Sequence, residues 1–245
     1  MKYRFLDKLM AKNADFHHHP APVMVCLGDS VTQGCFELYN PTPDTIDTVF
    51  EQQYAYSQLL KNAFNLLYPR ANALIVNAGH SGGTAKQALG WLERDVFPFN
   101  PDLVVVAFAL NDTSDTPDGL STFSDSLRGI FEQCRARGID CMYVTPNMMN
   151  THTSGKITDD VSRRYASIFA ERQNSGLLER FVEEGKRVAR ECGAGVCDVY
   201  GAWKRLAACG VDTTDLLANY LNHPIRPMQQ LIDDKILEEL FSEQE

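Results

Sequence analysis

Five short apolar runs, separated by longer stretches of helical periodicity, constrain the fold of this chain more than any other feature. The runs cover residues 23–27, 73–77, 103–109, 140–145 and, more weakly, 195–199, and each is bounded by Gly, Pro or Asn. Their length and β-branched content fit strands covered on both faces. Between them, residues 54–68 place Leu59, Leu60, Ala63, Phe64 and Leu67 on one helical face, and Pro69 closes the pattern. Residues 84–96 repeat it through Ala88, Leu89 and Leu92, which predicts a single helix there. Residues 123–137 carry Leu127, Ile130, Phe131 and Cys134 and stop at Gly138. The span 159–192 is too long and polar for one helix, and Asn174, Ser175 and Gly176 predict a break. Such alternation predicts an α/β fold: a three-layer α/β/α sandwich around a five-stranded, mainly parallel, flavodoxin-like sheet with right-handed crossovers. Loops that follow the strands then share one rim.

With 245 residues and 44% hydrophobic content, the chain can bury one sizeable core. We read residues 1–245 as a single domain with an amino-terminal extension over residues 1–22. The charge of -9, from 23 basic and 32 acidic residues, lacks the footprint of a nucleic-acid binder and favours a neutral small-molecule partner. The first residues mix charges into their apolar positions, so neither a signal peptide nor a membrane span is expected. Seven cysteines without CxxC spacing argue against a disulfide framework, and we expect a cytoplasmic protein without cofactor or metal. His17, His18 and His19, followed by Pro20 and Pro22, read as a solvated connector. Oligomeric state is not encoded in any pattern we recognise.

Four segments at the predicted rim carry reactive groups. The first, VMVCLGDSVTQG over residues 23–34, joins a buried strand to Ser30 through Gly28, a glycine suited to a tight exit turn. Asp29 or Ser30 would serve equally well as a helix cap. The second, NAGHSGGTA over residues 77–85, sets Gly79, Gly82 and Gly83 before a helix start, where amides point outward, and it contains His80 as a second-ranked base. The third ends a strand in Asn111 and Asp112. A side-chain amide there can donate to a developing oxyanion, or simply form an Asx turn. The fourth is LANYLNHPIRPMQQL, in which Pro224 biases His223 towards an extended backbone.

Taken in order, these segments resemble the SGNH, or GDSL-type, hydrolase family. GDS at residues 28–30 is similar to its nucleophile block, SGGT at 81–84 to its glycine block, LND at 110–112 to its asparagine block and NHP at 222–224 to its histidine block. The resemblance implies the SGNH-hydrolase fold, with Ser30 as nucleophile and His223 as general base. It also implies an oxyanion hole from the amides of Ser30 and Gly82 and the side chain of Asn111. Two positions depart from the family pattern. Ala109 stands where a glycine is usual, which we expect to tighten packing without moving Asn111. Tyr220 stands where the family's aspartate precedes the histidine by three residues. A backbone carbonyl near Tyr220, giving a dyad, and Asp215 are the candidates to accept the other imidazole proton, and the carbonyl is favoured.

The chemistry these groups support is acyl transfer through an acyl-enzyme on Ser30. The expected function is a serine esterase that removes a short acyl group, most plausibly acetyl, from a carbohydrate or similar alcohol. An acyltransferase on the same site and a non-catalytic carbohydrate-binding protein are the alternatives. Phosphate chemistry lacks both a GKS or GKT loop and a second acid two residues after Asp29. Trp91, Trp203 and the loops 35–51 and 147–158 are candidate pocket or partner surfaces.

Overall fold

The five apolar runs lie side by side in a computed structural model of the chain, which describes residues 3–42, 45–114 and 118–242. Helix α1 (Arg4–Ala14) precedes strand β1 (Val23–Gly28), the short helix α2 (Ser30–Gln33) and a hairpin of β2 (Cys35–Thr42) and β3 (Thr45–Phe50). Then come α3 (Tyr56–Leu67), β4 (Leu74–Gly79), α4 (Ala85–Leu89), α5 (Leu92–Asp95), β5 (Leu103–Ala107), α6 (Gly119–Ala136) and β6 (Asp140–Val144). The chain closes with α7 (Asp160–Asn174), α8 (Leu177–Glu191), β7 (Gly195–Cys197), α9 (Val199–Ala208) and α10 (Arg226–Phe241).

The strand order β4-β1-β5-β6-β7 is parallel throughout and reverses direction of growth at β1, so the carboxyl ends of β1, β4 and β5 meet at a switch point. Met24 to Leu27 of β1 and Leu103 to Val106 of β5 are fully buried, as their unbroken apolar character requires. Helices α3 and α10 pack together on one side, while α4, α6 and α8 form a row on the other.

Several boundaries differ from the sequence expectation for identifiable reasons. Strand β5 stops at Ala107 because Ala109 adopts φ +146°, outside the strand region. Strand β7 stops at Cys197 because the Asp198 side chain caps α9, accepting from Gly201 N–H. The single helix expected over 84–96 is two, divided at Gly90 and Trp91, whose amides turn back to the carbonyls of Gln87 and Ala88. The expected break between α7 and α8 falls at Gly176, φ +74°. The expected extension, of which residues 1–2 lie outside the described residues, contributes α1. Its Phe5, Leu6 and Leu9 are buried in the main core, with Phe5 5.2 Å from the Phe64 ring, and each such side chain contributes roughly 1.5–3 kcal/mol. Segment 35–51, expected as a loop, is a hairpin apart from residues 43–44, which lie outside the described residues. Among the described residues no helix is long and apolar enough to cross a membrane. All seven cysteines are free thiols, and six are buried.

Candidate active site

Ser30 leaves the sheet through a gap made by two glycines. Gly28 and Gly79 are register partners at the ends of β1 and β4. A Cβ on Gly28 would lie 2.0 Å from Thr32 Oγ1, and one on Gly79 would lie 2.3 Å from the backbone nitrogen of Gln33. Helix α2 can therefore settle onto the strand ends only where both side chains are absent. Asp29 caps that helix, its Oδ1 accepting from Val31 N–H at 2.9 Å. Capping thus falls to Asp29, and the Ser30 hydroxyl is free to meet another group.

That group is the imidazole of His223, whose Nε2 lies 3.0 Å from Ser30 Oγ. Its Nδ1 lies 2.8 Å from the carbonyl oxygen of Phe36. A carbonyl only accepts, so Nδ1 carries the proton and Nε2 presents its lone pair to the serine hydroxyl. A general base needs this tautomer and this orientation. The acceptor is a backbone carbonyl, but it comes from β2 and not from the neighbourhood of Tyr220. Tyr220 takes φ +56° and lays its ring 5.2 Å from Lys156 Nζ. Asp215 pairs with the same Lys156 at 2.8 Å on the surface and has no contact with His223.

The His223 segment is held by a residue that the sequence reading did not single out. Asn219 Oδ1 accepts from the backbone N–H groups of Leu221, Asn222 and His223 at 3.0, 2.9 and 3.0 Å, and its Nδ2 donates to Asn222 Oδ1. Asn147 Nδ2 donates to the Asn222 carbonyl, and Ala218 N–H to the His223 carbonyl. The tendency of Asn to bond nearby amides in turns was the available signal.

Arg226, the first residue of α10, ties the hairpin to this segment. Its guanidinium donates to both Glu37 carboxylate oxygens, at 2.6 and 2.9 Å, and to Glu51, and it lies 4.4 Å from the centre of the Phe36 ring. The paired guanidinium holds the Glu37 carboxyl below the usual carboxylate range.

Burial sets the protonation states. His223 is 5% exposed, and the loss of solvation lowers its pKa to about 4, against the opposing pull of the Phe36 acceptor and the Glu37 charge. The imidazole is therefore neutral at ordinary pH. Burial also pushes the Asp29 carboxyl up to about 7, with the charge of Asp112 adding to the rise.

The loop after β4 faces the same space. Gly82 takes φ +75° with nothing within 4 Å of a notional Cβ, so its backbone borders an open volume. Asn111 Nδ2 donates one hydrogen to the Gly83 carbonyl at 2.9 Å, which fixes the amide and leaves its second N–H to the cavity it lines. Asp112 Oδ1 accepts from Ala85 N–H at 2.9 Å, so the two residues after Leu110 both fasten the glycine loop. Ser30, being the first residue of α2, has a backbone N–H with no partner within its helix. The structure thus brings Ser30, Gly82, Asn111 and His223 to one cavity of about 240 Å³. Leu38 and Ile46 of the hairpin, Tyr165 and Phe169 of α7, and Leu221 supply its apolar wall, and among the described residues none that lines it is an acid, a lysine or an arginine.

Other candidates lie elsewhere. His80 Nε2 is bonded to Asp95 at 2.9 Å and its ring lies tilted against that of Trp91, 4.3 Å away. Trp203 is buried in the core, so neither tryptophan lines this cavity. Of the two candidate pocket loops, 35–51 supplies Leu38 and Ile46, whereas 147–158 does not line it and buries Asn147 to Asn150. His17, His18 and His19 are exposed, and His18 is bonded to Asp15. Among the described residues no group of three or more His, Cys, Asp or Glu is arranged to hold a metal ion.

Residues 26–231 match the model of the GDSL-like Lipase/Acylhydrolase family. No curated protein matches the chain. Solved structures do. The acetylxylan esterase Axe2 from Geobacillus stearothermophilus superposes with a TM-score of 0.64 at 19% identity, covering 91% of this chain and 95% of that one. LAE5, an alpha/beta hydrolase enzyme from the metagenome of Lake Arreo, Spain, gives 0.64 at 19% identity over 90% and 96%. CEX, a two-domain esterase active on acetylated mannans, gives 0.65 at 18% identity over 96% of this chain and 52% of that one. At these identities the likeness is one of fold.

Proposed function

The chain belongs to the GDSL-like lipase/acylhydrolase family of carboxylic ester hydrolases, and we propose on that premise that it is a cytoplasmic serine esterase acting on short acyl esters of carbohydrates, with acetyl as the preferred acyl group. The observation that carries the reading is the 3.0 Å contact between Ser30 Oγ and Nε2 of a neutral His223 whose proton sits on Nδ1. His223 takes the hydroxyl proton as Ser30 Oγ attacks the acyl carbon. The oxyanion that forms receives hydrogen bonds from the backbone amides of Ser30 and Gly82 and from Asn111 Nδ2. Collapse of this intermediate breaks the ester bond, and His223 returns the proton to the departing alcohol. Water, deprotonated by His223, then attacks the acyl-enzyme, releasing the acid and restoring Ser30.

The choice of substrate rests on the cavity and on the structural relatives. A volume of about 240 Å³ suits a short acyl group with part of its alcohol, and a lining that among the described residues holds no acid, lysine or arginine suits a neutral one. Axe2 is an acetylxylan esterase and CEX acts on acetylated mannans, which directs the proposal to acetylated sugars. The test is hydrolysis of an aryl acetate and of an acetylated xylo-oligosaccharide by the wild type and by Ser30→Ala. Turnover of both by the wild type and of neither by the variant is expected. Undiminished turnover in the variant would remove Ser30 from the reaction. Acyl transfer to an added alcohol in preference to water would make the enzyme an acyltransferase.

A further inference from the structure

The group that accepts the Nδ1 proton of His223 is the main-chain carbonyl of Phe36, and a main-chain carbonyl has no side chain to aim it. Its position depends on whatever holds its strand. Phe36 lies on β2, in a hairpin whose residues Leu38 and Ile46 border the cavity. The hairpin forms its own two-stranded sheet and does not join the five-stranded one. One side chain connects both of its flanks to the segment that carries His223. Arg226 forks onto Glu37, the residue after Phe36, and reaches Glu51, just beyond β3, while its guanidinium plane covers the Phe36 ring at 4.4 Å. Arg226 follows His223 by three residues, so the acceptor and the imidazole are referred to the same short length of backbone.

We propose that Arg226 is the positioning residue of this site: by clamping Glu37 and Glu51 and packing on Phe36, it holds the Phe36 carbonyl against His223 Nδ1 and offsets the Glu37 charge beside the imidazole. The proposal rests on the reading of Ser30 and His223 as the catalytic pair. A bidentate guanidinium fixes both distance and direction, which an ammonium does not. Among the described residues, the charge that acts on the imidazole is that of Glu37, which Arg226 of α10 holds together with Glu51. Tyr165 of α7 borders the same cavity. The loop after β4 offers Ser81 and Gly82, neither charged.

The test compares wild type, Arg226→Ala, Arg226→Lys and Glu37→Gln with an aryl acetate across pH, reading kcat and KM separately and Tm in parallel. Arg226→Ala is expected to lower kcat about 10- to 100-fold with KM nearly unchanged, the size of effect that small misplacements of catalytic groups produce. Its acid limb moves to higher pH, because the freed Glu37 carboxylate favours the imidazolium. Glu37→Gln removes that carboxylate and moves the limb to lower pH. Arg226→Lys falls between wild type and the alanine variant in kcat. Opposite displacements of the limb are not a consequence of loosened packing. An unchanged kcat in Arg226→Ala, or a loss matched by unfolded protein with an unmoved limb, would overturn the proposal. If the wild type itself has no esterase turnover, the hydrolase reading fails on its own. The proton NMR signal of His223 Nδ1–H then still decides the clamp, being retained in the wild type and lost or shifted in Arg226→Ala if the proposal holds, and unmoved if it does not.

Discussion

The imidazole of His223 donates through Nδ1 to the carbonyl oxygen of Phe36 at 2.8 Å, a bond between residues 187 positions apart in the chain. It does for the imidazole what a neighbouring carboxylate would do in fixing the tautomer, but it brings no full negative charge. The imidazole is thus held in place while its basicity is set by burial.

The pH dependence of the reaction follows from that difference. An ordinary histidine titrates near 6.5, whereas His223 is lowered to about 4. As pH falls, the neutral base is lost only on passing the folded pKa. The acid limb of kcat/KM is therefore expected near pH 4 to 5, with full activity at pH 6, where an unperturbed imidazole would already be largely protonated. A limb at pH 6.5 or above would contradict the burial argument.

Replacing Tyr220 by Asp should not raise activity. The Nδ1 proton already has its acceptor, and the position-220 backbone, at φ +56°, directs its side chain towards Lys156. The expected result is a kcat no higher than wild type, and a rise of tenfold or more would show that the carboxylate can displace the Phe36 carbonyl.

Asn219 gathers three buried backbone amides. Asn219→Ala leaves them without an acceptor, at a cost of about 1–3 kcal/mol for each that stays dry. Both Tm and kcat should fall. Asn219→Asp keeps the accepting oxygen and should recover most of the stability. Equal losses in the two variants, measured by thermal melts and steady-state kinetics, would remove this role from the side-chain oxygen.

Much of the fold was legible because buried parallel strands write themselves as apolar runs, and all five were placed within a few residues. Four of the groups that line the cavity were legible as well, since Ser30, Gly82, Asn111 and His223 each follow a strand or a strong turn signal. The hairpin was not. The pairing of Cys35 with Phe50 and Leu38 with Thr48 is a tertiary fact that local propensity does not announce. Phe36 could not be found for a deeper reason, because its contribution is a main-chain oxygen that every residue possesses. Arg226 and Glu37 were hidden by their separation of 189 positions in the chain.

Ala109 illustrates a departure that the sequence flagged and the structure reinterpreted. Its small side chain fits, but φ +146° lies where L-residues are strained, at a cost on the order of 1–3 kcal/mol. Ala109→Gly should relieve the strain, less about 0.5–1 kcal/mol for the added freedom of the unfolded chain. A modest rise in Tm with unaltered kcat is expected, and a fall in Tm would mean that the methyl group's packing outweighs the strain.

The central claim is that His223 activates Ser30 as a nucleophile, and covalent capture by a fluorophosphonate tests it most directly. Peptide mapping of the treated wild type is predicted to find one phosphonyl adduct, on Ser30, with none in His223→Ala over the same time. A folded wild type that remains unlabelled, or an adduct on another serine, would contradict the account.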